Sequence, residues 1–132
     1  MLRMHAGVAG QGNALSMSNA ENCRYSNYKN FDPRQGTVSL WVLAKNWVPS
    51  KEKFQIFFQS VMPGGYRFLV YKFIKPNYLM FVIIHKGKTY QVTIPLKDED
   101  WTPNRWHKID AVWDSSQMAL YLDGTLAKPL AY

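Results

Sequence analysis

The sequence predicts an all-β fold, a sandwich or barrel, and three observations predict it. About nine short segments either alternate apolar and polar residues or concentrate β-branched and aromatic types, each bounded by turn residues. No segment keeps a helical period over three turns. Aromatic residues make up 15% of the 132-residue chain, with five Trp, eight Tyr and seven Phe, and such residues suit strands and binding faces better than helices.

The elements follow in order. Residues 1–13 are small and Gly-rich and read as a flexible lead-in. Ala14 to Ser18 alternates weakly, with a short strand as one reading, and Asn19 to Asn22 is turn-like. Tyr25 to Tyr28 and Asn30 to Arg34 read as loop, a short strand being the alternative. Gly36 to Ala44 is a strong strand, with Val38, Leu40 and Val42 on one face and Ser39, Trp41 and Leu43 on the other. Asn46 to Lys51, holding Pro49, is a loop. Phe54 to Ser60 alternates, placing Phe54, Ile56 and Phe58 on one side and Gln55 and Gln59 on the other. Pro63-Gly64-Gly65 turns into a strand from Tyr66 to Phe73, and Lys75-Pro76-Asn77 turns again. Leu79 to His85 is apolar on both faces, which argues a central strand. Lys86-Gly87 makes a tight hairpin into Thr89 to Leu96. Lys97 to Asn104 is a polar connection carrying Trp101. Strands follow at Arg105 to Trp113 and Met118 to Leu122, separated by Ser115-Ser116. After the Asp123-Gly124 turn a last strand runs over Thr125 to Lys128, stopped by Pro129.

Length predicts one domain, large enough to bury a core without a disulfide or metal. Sixteen Lys and Arg against nine Asp and Glu give a net charge of +7. Solubility accounts for that excess; an acidic partner is the sharper reading. The basic residues stand in small sets (Lys51/Lys53, Lys72/Lys75, Lys86/Lys88) with no arginine-rich run, so no nucleic-acid partner is expected. Cys23 is the one cysteine, which excludes an intrachain disulfide. The N-terminus shows no apolar core of a signal peptide, and the longest apolar run, Leu79 to Ile84, has strand length, so no membrane span is expected.

Four segments in order resemble a known family. Gly12-Asn-Ala-Leu-Ser-Met-Ser18 and Gly36-Thr-Val-Ser-Leu-Trp41-Val are the first two. Arg105-Trp106-His107-Lys-Ile-Asp-Ala-Val-Trp113-Asp114 and Met118-Ala-Leu-Tyr121-Leu122-Asp123-Gly124 complete the set. Together they resemble laminin-G-like domains of the concanavalin A-like lectin/glucanase fold. The resemblance implies two antiparallel sheets in a jelly-roll sandwich, a curved sheet able to hold a glycan, and, in many relatives, a rim calcium. Relatives are often extracellular. Two departures stand out. The family's Asp-Gly after the first motif is Ser18-Asn19 here. The family's strand before that motif and its final strand after the Asp-Gly turn are both missing, as in a shortened member or a fragment. An edge strand left open in this way predicts a homodimer or larger assembly.

The site candidates are weighed against plainer readings. Calcium would need convergent oxygen ligands. Asp98-Glu99-Asp100 is the only acidic cluster, and Asp114 and Asp123 sit at strand ends, so solvated loop acids are the plainer reading and no cofactor is expected. His5, His85 and His107 lack paired metal spacing. Alternation puts His107 with Ile109, Ala111 and Trp113, hence buried and hydrogen-bonded. A glycosidase needs two facing carboxylates, and the glucanase pattern E-x-D-x-x-E does not occur, so no enzyme is expected. Sugar faces stack on aromatic rings while amides and charges bind hydroxyls. The candidate ligand-binding set is therefore Trp106, Lys108 and Asp110 with Tyr71, Arg67, Gln55 and Gln59. Against it, these residues merely solvate an outer face, or Trp101 and Trp106 seal the sandwich end. The expected function is a noncatalytic module recognising carbohydrate or a protein partner. The alternatives are a self-associating assembly protein without a small ligand, or a degenerate glycoside hydrolase.

Overall fold

A computed structural model describes residues 3–8, 13–17, 23–27, 29–51, 54–74 and 77–132. The expected turn at Asn19 to Asn22, the Ser18-Asn19 pair, Lys53, the Lys75-Pro76 half of the second turn and the side chain of His5 lie outside the described residues. The strands are β1 (Arg3–Ala6), β2 (Asn13–Ser16), β3 (Gly36–Leu43), β4 (Gln55–Met62), β5 (Tyr66–Phe73) and β6 (Tyr78–His85). They continue as β7 (Lys88–Pro95), β8 (Trp106–Trp113), β9 (Gln117–Leu122), β10 (Thr125–Leu126) and β11 (Leu130–Ala131). No α-helix occurs among the described residues.

The strands form two packed antiparallel sheets and a separate hairpin. One sheet runs β10-β9-β8-β3, with β11 beside β10 along the same edge of β9. The other runs β4-β5-β6-β7. Strands β1 and β2 pair with each other, so the segment read as a lead-in contributes a strand of its own. Nothing in Arg3-Met-His-Ala distinguishes a four-residue strand from coil, and its pairing with Asn13–Ser16 supplies the regularity.

Tight turns set the registers. Lys86 and Gly87 both have positive φ (49° and 75°), as do Asp123 and Gly124 (50° and 82°). Two consecutive left-handed residues twist the chain as the flanking strands require, the reason Asp-Gly and Lys-Gly serve as two-residue hairpin loops.

The core lies between the sheets. Phe68, Val70, Leu79, Phe81, Ile83 and Val92 come from one; Ile109, Ala111, Trp113, Met118, Leu120 and Leu122 come from the other. Burying a Val, Leu, Ile, Phe or Met side chain of this core contributes about 1.5–3 kcal/mol relative to exposure. Trp113 is the hub, with Phe31 and Phe68 each at 5.0 Å and Phe81 at 6.0 Å between ring centroids. Its Nε1 donates to the Asp32 carbonyl at 3.1 Å.

One end of the sandwich is closed. Trp101 is fully buried there, stacked on Trp47 and Phe57 at 5.9 Å and on His107 at 4.8 Å. The loop Trp therefore seals this end, while Trp106 lies half-buried at the start of β8. At the opposite end, where β4 and β8 finish, Phe31 packs against Phe58, Phe68 and Trp113.

Candidate recognition surfaces

The alternation expected in β8 holds along its whole length: His107, Ile109, Ala111 and Trp113 are buried, and Trp106, Lys108, Asp110 and Val112 are not. His107 is 4% exposed; its Nδ1 meets Asp123 Oδ2 at 2.7 Å and its Nε2 the Thr102 carbonyl at 3.2 Å. The Lys108 N–H donates to Asp123 Oδ1 at 2.8 Å, so the turn carboxylate clamps the start of β8.

Register then assembles one outer face. Trp41 of β3 lies opposite Lys108, Leu43 opposite Trp106 and Ser39 opposite Asp110. On the other side of β8, Tyr121 lies opposite Asp110. Ser39 Oγ donates to Asp110 Oδ1 at 2.5 Å, and Lys108 Nζ sits 3.4 Å from Asp110 Oδ2. Trp41 is 51% exposed and diagonal to Trp106, within reach of one bound ring system. The face thus carries two tryptophans and a tyrosine around a Lys-Asp-Ser network whose hydrogen bonds are already made. Trp41 is absent from the expected site set. The signal for it is the alternation of β3, which sets Trp41 away from Val38, Leu40 and Val42.

The other candidates lie across the molecule. Arg67, Leu69, Tyr71 and Phe73 project from the outer face of the second sheet, opposite Ile84, Val82, Met80 and Tyr78. Gln59 joins them, opposite Leu69. Gln55 does not. A register shift between Ile56 and Phe58 puts Ile56 opposite Tyr71 and Phe58 opposite Val70, and leaves Gln55 opposite the buried Lys72 on the inward side. One extra residue reverses the sidedness of the rest of a strand, so Gln55 and Gln59 face opposite ways. The seven candidates therefore fall into Trp106, Lys108 and Asp110 on one outer face, Tyr71, Arg67 and Gln59 on the other, and Gln55 on neither.

The two faces differ in chemistry. On the second sheet Leu69, Met80 and Val82 are 4–8% exposed and packed by Tyr71, Tyr78 and Ile84. Phe54, Tyr71 and Phe73 form a ring cluster with centroids 5.2–6.5 Å apart. Burial raises the Tyr71 hydroxyl above its ordinary pKa. This is an apolar strip with polar margins, whereas the Trp41–Trp106 face interleaves rings with polar groups.

Several aspartates are held by the protein's own donors. Ser50 donates to Asp98 through its N–H at 2.9 Å and its hydroxyl at 2.6 Å, which holds that carboxyl below its ordinary pKa. Asp32 is lowered in the same way, first by the hydrogen bond from the Arg34 side chain. No group of three or more His, Cys, Asp or Glu side chains converges among the described residues, and no helix is long and apolar enough to cross a membrane.

No curated protein matches this chain. A family model does: Laminin_G_3, described as the concanavalin A-like lectin/glucanases superfamily, over residues 17–131. That span takes in both sheets, the buried β8 motif and the Asp123-Gly124 turn, and with the two-sheet antiparallel architecture it leads to one conclusion: the chain belongs to the concanavalin A-like lectin/glucanase superfamily.

Proposed function

We propose that this domain is a noncatalytic recognition module that takes carbohydrate on the outer face of β3, β8 and β9. The observation that carries the reading is the exposed Trp41 diagonal to Trp106, flanked by Ser39, Lys108, Asp110 and Tyr121. Indole rings offer flat apolar surfaces to sugar C–H faces, and the interleaved polar groups meet hydroxyls. The noncatalytic part rests on the carboxylates. Asp110 is engaged by Ser39 and Lys108, and Asp123 by His107 and the Lys108 N–H. Neither is poised as a free acid or base of the kind glycoside hydrolysis uses.

The test is a glycan array of neutral and acidic polysaccharides, repeated with Trp41→Ala and Trp106→Ala. Each variant should keep its far-UV spectrum and lose binding roughly two- to twelvefold, since a stacked ring contributes about 0.5–1.5 kcal/mol. Undiminished binding in the double variant refutes the site. Binding confined to polyanions and abolished at moderate salt would assign it to the net charge instead.

A second reading is favoured by the edge of β3, which pairs with β8 alone among the described strands. Gly36–Leu43 carries no proline, bulge or charged residue, the devices that usually protect an edge. In this reading a second copy pairs along β3. Light scattering then gives twice the chain mass, and Thr37→Lys, at an exposed position, restores the single mass. A single mass for the unmodified chain at high concentration excludes it.

A further inference from the structure

Beside the end of the sandwich where β6 and β8 finish lies a pocket that shares no lining residue with either candidate outer face. It has a volume of about 350 Å³ and is lined by Arg34, Tyr66, Ile83, His85, Tyr90, Asp114 and Tyr132, among others. That volume lies at the lower end of the roughly 300–1,000 Å³ of small-molecule sites. Its walls are aromatic. Tyr66 stacks on His85 with centroids 3.6 Å apart and planes 7° apart, which holds both rings in place. Tyr90 meets Tyr132 edge to face at 5.1 Å.

The charge at the pocket is asymmetric. Arg34 is already committed: its Nε donates to Asp32 Oδ1 at 3.0 Å and its Nη2 to Asp32 Oδ2 at 2.9 Å. Among the described residues, the donors to Asp114 all fall on one oxygen. The Ser116 N–H and hydroxyl and the Gln117 N–H all donate to Oδ1, at 2.7, 2.8 and 3.0 Å. These donors lower the Asp114 pKa, so the carboxylate is charged at neutral pH. Among the described residues it forms no ion pair. Its field reaches Tyr132, whose hydroxyl is raised first by burial and then by that carboxylate. A fixed anion beside several tyrosine rings is the chemistry that holds an organic cation, because ring faces attract positive charge and a methylated ammonium sheds water cheaply.

We propose that this pocket binds an alkylated ammonium group, with Tyr66, Tyr90 and Tyr132 as cage walls and Asp114 as counter-ion. The group is carried by free choline or by a choline headgroup, two sources of one recognition chemistry; binding to a methylated lysine is an outcome that the test separates.

The probe is choline chloride, titrated into the full chain and followed by intrinsic fluorescence or tyrosine ring shifts. Its neutral isostere 3,3-dimethyl-1-butanol has the same shape without the charge. Choline should saturate in the millimolar range and bind about tenfold better than the alcohol, the ratio that a cation–π and counter-ion term supplies. Asp114→Asn keeps an oxygen for the three turn donors and removes the charge, and it should abolish that preference. Tyr132→Ala should weaken binding about tenfold, while Tyr90→Phe, which keeps its ring, should retain it. Phosphatidylcholine vesicles, run in parallel, distinguish the headgroup from free choline by their rank, and a trimethyl-lysine peptide that binds more tightly than both overturns the choline assignment. Trp41→Ala and Trp106→Ala should leave choline binding unchanged, so this inference and the carbohydrate reading fail separately. Equal binding of choline and the alcohol, an unaltered preference in Asp114→Asn, or no saturable binding by choline or vesicles overturns the proposal.

Discussion

Gly36→Ala should be among the most destabilising single-methyl additions this domain can receive. A Cβ at Gly36 would lie 2.6 Å from Trp113 Cζ2 and 2.9 Å from Cη2. Ordinary carbon contacts are about 3.5–4.0 Å, so the indole or the start of β3 must shift by about 1 Å. Neither can move freely. Trp113 is wedged among Phe31, Phe68 and Phe81 and tethered through Nε1 to Asp32. Gly36 is registered opposite Trp113 in the sheet. Its φ is not in the left-handed range, so alanine suits the backbone and the clash alone sets the cost. Overpacking of this kind costs about 1–3 kcal/mol. Loss of the Nε1 hydrogen bond would add about 1 kcal/mol. The total, about 2–4 kcal/mol, corresponds to a fall in Tm of roughly 7–14 °C for a domain of this size. Urea unfolding followed by far-UV circular dichroism measures it. The decisive comparison repeats Gly36→Ala in a Trp113→Phe background, where the two clashing atoms are gone. There the alanine should cost less than about 1 kcal/mol. An equal cost in both backgrounds, or a Gly36→Ala variant within about 0.5 kcal/mol of the parent, refutes the clash as the cause.

Other expectations follow from the same contacts. Trp101→Ala should cost about 3–5 kcal/mol, because the ring is fully buried among Trp47, Phe57 and His107; Trp106→Ala should cost under about 1 kcal/mol by the same urea assay. Asp123→Asn should destabilise less than Asp123→Ala, since the amide oxygen can still accept the Lys108 N–H that alanine abandons. Asp32, Asp98 and Asp114 all have lowered pKa values in the folded state. A depressed folded pKa gives stability that is present above the unfolded value of about 3.9 and is lost as pH falls through the folded one. The urea midpoint should therefore be flat near neutrality and drop below about pH 4, and Asp98→Asn should make that drop shallower.

Much of this fold is legible in the sequence because its signals are local. Strands β5 and β8 appear in the chain as clear alternation or apolar runs bounded by Gly, Asn and Ser, and the turns at Lys86-Gly87 and Asp123-Gly124 declare their backbone shape through residue type. The apolar run Leu79 to Ile84 reads as a central strand, and β6 is flanked by β5 and β7. Its second apolar face is covered by no part of the main core: Met80 and Val82 join Leu69 in a cluster outside the sandwich. The bulge in β4 is illegible for a physical reason. Ile56, Phe57 and Phe58 are all apolar, so sliding the register by one residue leaves the hydrophobic pattern unchanged while it reverses Gln55 relative to Gln59. The site is harder to see than the fold because a surface depends on which sheet each strand joins. Trp106 and Tyr71 both read as outward residues, yet they lie on opposite sides of the molecule.

The same topology gives the apolar outer face of β4 to β7 a consequence that can be measured. Ile56 and Val61 are 44% and 62% exposed beside the Leu69–Met80–Val82 cluster. Neither contributes to the inter-sheet core. If the domain works alone, polar substitution there removes only solvent-exposed apolar surface, and Val61→Lys should change stability by under about 0.5 kcal/mol. If the face is an assembly surface, the same change leaves stability alone and lowers the solution mass. The β4 edge beside it is a poor pairing partner, since its bulge interrupts the ladder. Association through this face would therefore be side chain against side chain, insensitive to Thr37→Lys on β3 and sensitive to Val61→Lys. Light scattering on the two variants separates edge pairing from face packing. A mass that responds to neither leaves both surfaces out of any assembly and confines self-association, where it is observed, to other parts of the chain.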